Sequence, residues 1–125
     1  MILQCKTTTE NFPLMYLKTL NGTIGLTEKE LELTAELIKK YLRFMSQGLQ
    51  EPFLSKFVFS TEERKSLCES LDGLSNQNLG NKFKQLVDKG VLLQDGNNYS
   101  LITRLIPTKE VIFKFIIDDT AGKTV

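Results

Sequence analysis

Between Thr27 and Gly48 the apolar positions fall into two neighbouring stripes. Leu31, Ala35, Ile38, Leu42 and Met45 make one, and Leu33, Leu37, Tyr41 and Phe44 make the other. Recurrence at three and four residues marks an amphipathic helix. Thr27 with Glu30 three residues on is a capping box, and Gly48 offers a left-handed stop, so the pattern predicts a helix over about 28–47. Acidic residues crowd its first half, while Lys39, Lys40 and Arg43 follow in the second, as the helix dipole favours. A face two stripes wide has room for two neighbours.

A second patterned stretch runs from Ser60 to Ile102. Ser60 with Glu63 reads as another capping box, satisfying two orphan donors at once. Leu67, Cys68 and Leu71 share a face, and Asp72-Gly73 ends that helix. Ser75 is a second N-cap, followed by Leu79, Phe83, Leu86 and Val87 on one stripe and by Gly90 as the stop. Val91-Leu92-Leu93, the turn Asp95-Gly96-Asn97-Asn98 and Tyr99-Ser100-Leu101-Ile102 then read as a hairpin.

Helix, Gly-containing turn, helix and hairpin resemble the winged helix-turn-helix superfamily. Ser75 through Leu93, ending Leu86-Val87-Asp88-Lys89-Gly90-Val91-Leu92, is similar to its recognition helix and first wing strand. The resemblance implies that the helix over 28–47 is the first of the core. It also implies that Phe57-Val58-Phe59 is the short strand pairing with the wing. Function is left open by it, because winged helices bind DNA, RNA or proteins. With the apolar stripe inward, Gln77, Asn81, Lys84, Gln85 and Asp88 point outward, flanked by Asn76, Asn78, Lys82 and Lys89. Gln77, Asn81, Lys82, Lys84 and Gln85 are the candidate nucleic-acid contacts: amides pair with adenine edges, and lysines reach phosphate or guanine. Gly80 interrupts this helix at a cost of about 1 kcal/mol relative to Ala; either a close neighbour or simple tolerance accounts for it.

The flanking segments read as β structure. Residues 2–7 fit a short strand with Leu3 and Cys5 on one face, Pro13 interrupts, and Asn21-Gly22 signals a turn. Leu14-Met15-Tyr16-Leu17 is too short a run to assign to helix or strand. Phe53 and Leu54 are apolar residues left over from the pattern; either they close the core or they anchor a partner chain. Leu105-Ile106-Pro107 leads out of the wing. Val111 to Asp118 is the strongest strand in the sequence, with Val111, Phe113, Phe115 and Ile117 on one face and Ile112 and Ile116 on the other, interrupted by Lys114. A strand apolar on both faces needs two covers. Residues 2–7 and 14–17 are one candidate cover; another subunit meeting Ile112, Lys114 and Ile116 is the sharper expectation. The pattern thus predicts one α+β domain over 1–125: a winged-helix core over about 27–106 and a β annex from about 1–20 and 108–118.

Composition narrows function. The 125 residues carry a formal net charge of +1 and 25% charged residues. Within 60–106, Arg64, Lys65, Lys82, Lys84, Lys89 and Arg104 are balanced by Glu62, Glu63, Glu69, Asp72, Asp88 and Asp95. Duplex binders gain most of their non-specific affinity from basic patches, so this balance counts against DNA. The chain has no histidine, and Cys5 and Cys68 form no metal-type pair, so neither a metal site, a cofactor site nor an activated nucleophile is expected, and no enzyme activity. No apolar run suits a membrane span, and no signal-peptide pattern opens the sequence. The wing, the Leu105-Ile106-Pro107 exit and the Phe113-Lys114-Phe115 strand also resemble small phage-encoded winged-helix proteins. That resemblance implies a virion structural component near the portal, neck or capsid, docked to other subunits in the virion or host cytoplasm. The alternative is a sequence-specific DNA-binding transcription regulator reading through helix 76–89.

Overall fold

The computed structural model describes Gln4 and residues 6–8, 10–102 and 105–106. These form an α+β arrangement of five helices and one two-stranded antiparallel sheet. The helices are α1 (Phe12–Ile24), α2 (Glu28–Ser46), α3 (Phe53–Val58), α4 (Thr61–Ser70) and α5 (Asn76–Asp88); the strands are β1 (Leu92–Asp95) and β2 (Asn98–Leu101).

The helix α2 is the spine. Its capping box forms as the sequence predicts: Glu30 N–H donates to Thr27 Oγ1 (3.2 Å) and Thr27 N–H to Glu30 Oε1 (2.9 Å). Both apolar stripes are buried as far as Tyr41; beyond it Leu42 and Phe44 are half-buried and Met45 is exposed. α1 and α3 both pack on it.

The N-terminal β annex expected over about 1–20 is helical from Phe12 onward. Pro13 opens α1, where its missing N–H costs nothing. Leu14–Leu17 lies within the helix, with Leu17 fully buried. The turn expected at Asn21-Gly22 is also helical. The Asn21 side chain instead holds the exit: Leu26 N–H donates to its Oδ1 (2.7 Å), its Nδ2 donates to Leu26 C=O (3.1 Å), and Gly25 takes φ 75°.

Phe57-Val58-Phe59 is not the strand that the resemblance implies. Phe57 and Val58 lie in α3, and Phe59 caps it. Glu51 Oε1 accepts from both the Ser55 N–H (2.9 Å) and the Ser55 hydroxyl (2.6 Å), supplying a helix-start donor with its partner. Leu54 and Val58, four residues apart, turn inward together. Strand propensity at the aromatics loses to this tertiary fit.

The predicted helix–turn–helix–hairpin order of Ser60–Ile102 is observed. Ser60 caps α4 through Glu63 N–H (3.4 Å), but only half of the expected box forms, because the Glu63 carboxylate turns to Lys40 (2.6 Å) and Arg43 (2.7 Å) of α2. Ser75 caps α5 by accepting from Asn78 N–H at 3.2 Å. Leu79, Phe83 and Leu86 are buried, and Gly90 at φ 78° closes the helix. In the hairpin Leu92 faces Leu101 and Asp95 faces Asn98, around the two-residue loop Gly96-Asn97 with Gly96 at φ 62°. The strands expected over residues 2–7 and 111–118 lie outside the described residues, apart from Gln4, Lys6 and Thr7.

Candidate nucleic-acid face and protein-docking surface

The stripe Leu79, Phe83 and Leu86 fixes the rotation of α5, so its opposite face carries Gln77, Asn81, Lys84, Gln85 and Asp88, all exposed. Lys82 is half-buried and donates to Gln85 Oε1 at 3.3 Å. Lys89 is engaged within the chain: its ammonium donates to Glu30 Oε1 (2.6 Å) and Gly25 C=O (3.2 Å), pinning the end of α5 to the start of α2. A Cβ built on Gly80 meets nothing within 4 Å, so no described neighbour explains the glycine by close approach.

One flank of α5 lines a cleft of about 770 Å³. Asn78, Asn81, Lys82 and Gln85 form one wall; Lys29, Glu32, Glu36 and Lys39 of α2 form the other, with Asp72 at one end. Lys39 is paired with Glu10 (3.0 Å) and Glu36 (3.1 Å). Burial alone would lower its pKa, but these carboxylates raise it above the ordinary lysine value. Strand residues 92–101 carry no Lys or Arg and one acid, Asp95. A phosphate backbone laid on this face meets two carboxylates and two lysines on α2, and no lysine or arginine on the hairpin.

Two carboxylates, Glu63 and Glu30, anchor partly buried ion pairs that stiffen the helices beneath. Glu63 holds Lys40 and Arg43 across the α2–α4 contact. Burial raises the Glu63 pKa, but the two cations outweigh it and the carboxyl sits below its ordinary value. Glu30, 1% exposed, behaves likewise through Lys89 and the Thr27 backbone N–H; its Oε2 has no protein partner among the described residues.

The apolar surface lies elsewhere. Phe53 is 59% exposed and Phe57 48% exposed, four residues apart on α3. The Phe57 ring sits 6.0 Å from that of Phe44, over which the Arg43 guanidinium lies at 4.8 Å. Of the two leftover residues, only Phe53 is available to a partner. Leu54 is 5% exposed and fills the core, which corrects its assignment as an interface anchor. Phe57 is an exposed aromatic that sequence reasoning missed by placing it in a strand; the spacing of Leu54 and Val58 against Phe53 and Phe57 is the helical signal that identifies it. Ile112, Lys114 and Ile116 lie outside the described residues.

A second cavity, about 410 Å³, opens between the hairpin and the start of α3. Its wall includes Glu51, Ser55, Lys56, Arg64, Leu93 and Tyr99. The Arg64 guanidinium lies 5.5 Å from the Phe83 ring and 5.7 Å from that of Tyr99, and its Nε donates to Phe59 C=O at 2.9 Å. Cys68, expected on the buried face of α4, is half-buried, with Sγ 3.5 Å from Asn76 Oδ1. Among the described residues no group of three or more metal-ligating side chains converges, and no helix is long and apolar enough to cross a membrane. No protein-family model, curated protein or solved structure matches the chain.

Proposed function

We propose that this chain is a non-enzymatic winged-helix interaction module that docks to other protein subunits, as a structural component of a phage virion. The observation that carries the reading is the division of its surface. The face of α5 that would read DNA is nearly neutral and opposes an α2 wall in which Lys29 and Lys39 are balanced by Glu32 and Glu36, whereas α3 holds out Phe53 and Phe57. Exposed aromatics on a helix are the usual anchors of a protein interface. The winged-helix assignment rests on the α4–turn–α5–hairpin order; the helical α3 departs from that pattern where the superfamily's first strand would lie. The virion setting comes from the sequence resemblance alone.

A DNA-binding regulator is the second reading, favoured by the exposure of Gln77, Asn81, Lys84 and Gln85 along one face. A gel-shift titration at about 150 mM salt separates the two. The docking module binds duplex only in the non-specific range of about 10⁻⁴–10⁻⁶ M. Nanomolar binding lost in Asn81→Ala or Lys84→Ala overturns it. Light scattering on virion-derived complexes then tests the docking face: Phe53→Ser with Phe57→Ser should abolish incorporation while leaving the helical circular dichroism unchanged. Normal incorporation of that folded variant refutes the role of α3.

A further inference from the structure

Three contacts hold Arg64 in place, and none of them takes its terminal amino groups. Its Nε donates to Phe59 C=O at 2.9 Å, and its guanidinium lies 5.5 Å from the Phe83 ring and 5.7 Å from that of Tyr99. A planar fork fixed in this way loses little further rotamer freedom when a ligand meets it. Nη1 and Nη2 have no hydrogen-bond partner among the described residues, and no described carboxylate lies within ion-pair reach of them. Arg43, by contrast, donates to Glu63 at 2.7 Å. Arg64 lines the cavity of about 410 Å³ beside the hairpin, a volume within the range of roughly 300–1,000 Å³ that small-ligand sites occupy.

We propose that this cavity captures the C-terminal carboxylate of a partner protein, with Arg64 as its bidentate donor. An arginine fork matches the two oxygens of a carboxylate, and the resulting bonds are charge-assisted. The wall favours a carboxylate over a phosphate: Lys56 and Arg64 are balanced by Glu51 and Asp95, so a dianion meets as much repulsion as attraction. Phe59, Tyr99, Leu93 and Pro52 line the same space. A chain end carries its carboxylate and its last side chain on one carbon. A C-terminal apolar residue therefore places its charge on the arginine and its side chain against these walls together. An internal Asp or Glu brings no apolar group of its own to that point. Only the source of the ligand, a docked protein, rests on the function proposed above; the chemistry of the pocket stands on Arg64.

The test is titration of the full-length chain with the peptide acetyl-Ala-Leu, as the free acid and as its C-terminal amide, read by NMR at the Arg64 Nε–H and the Tyr99 amide. The acid should bind saturably and about tenfold or more tightly than the amide, the scale of one hydrogen bond to a charged group. Arg64→Gln should abolish that difference, and Arg64→Lys, which keeps the charge and loses the fork, should not restore it. The comparison of acid with amide in the wild type needs no variant, so it decides the proposal even where Arg64→Gln fails to fold. Equal affinity for acid and amide, or no saturable shift, overturns it. Tighter binding of inorganic phosphate overturns it in favour of a phosphate site. Tighter binding of the blocked peptide acetyl-Ala-Asp-Ala-amide overturns the chain end in favour of an acidic side chain. Phe53 and Phe57 do not line the cavity, so Phe53→Ser with Phe57→Ser leaves this binding unchanged, and failure of either reading shows separately.

Discussion

The Tyr41 hydroxyl joins three elements. It is 2.7 Å from Ser55 Oγ on α3 and accepts from Leu101 N–H of β2 at 2.9 Å. Because Ser55 Oγ donates to Glu51, the tyrosine donates to Ser55, and the chain of bonds has one direction. Tyr41→Phe keeps the ring but leaves a buried N–H unpaired, so a loss of about 1–3 kcal/mol is expected in urea unfolding. Burial is the main cause holding the phenol above its ordinary pKa, with the Glu51 charge adding to it and the hydrogen bonds opposing it. Its folded pKa is raised, so the stability it contributes is complete below the unfolded value near 10 and falls as pH rises past it. Alkaline denaturation followed by tyrosinate absorbance should show this loss, and Tyr41→Phe should lack it.

At the scale of one helix, α5 gives the sharpest contrast. Phe83 is fully buried and touches Phe59 and Tyr99 at ring separations of 5.3 and 5.2 Å, whereas Gln77 is exposed. Phe83→Ala should cost about 3–5 kcal/mol and Gln77→Ala under about 0.5 kcal/mol, measured by thermal and urea melts. Similar losses in both would contradict the rotation of α5. Gly80→Ala should stabilise by up to about 1 kcal/mol, because the added Cβ finds open space and the helix loses its most flexible residue. A fall in melting temperature for that variant would show that the helix needs the glycine for another reason.

Across the whole molecule, Glu30 and Glu63 tie α2 to the end of α5 and to α4. Burial pushes both carboxyls up, but their cations win, and both folded pKa values lie below the ordinary one. A depressed carboxylate contributes stability that is complete above the unfolded pKa near 4.3 and is lost as pH falls through the folded value. Urea midpoints should therefore decline below about pH 4–5. Lys89→Met should lower the neutral-pH midpoint and flatten part of that decline, because Glu30 then loses its counter-charge. An unchanged acid profile in Lys89→Met would remove the Glu30 pair from this account.

Much of Ser60–Ile102 was legible because its signals are local. Ser75 meets an N–H three residues away, Gly90 and Gly96 adopt left-handed φ, and Leu79, Phe83 and Leu86 repeat at the helical period. The outward placement of Gln77, Asn81, Lys84 and Gln85 follows from that phase. The misreadings lie where a side-chain contact outside the simple periodicity decides. Asn21 continues a helix instead of a turn because its amide closes on Leu26, and Glu63 abandons half of its capping box for Lys40 and Arg43. Phe57 and Val58 become helix because Glu51 accepts from Ser55, Tyr41 engages Ser55 from α2, and Leu54 and Val58 pack together. Sequence periodicity by itself determined the amphipathic elements, whose faces depend only on spacing. Tertiary structure decided which polar side chains serve their own helix and which serve another, because those choices depend on partners in other elements, as with Glu63 and Lys40 at a separation of 23.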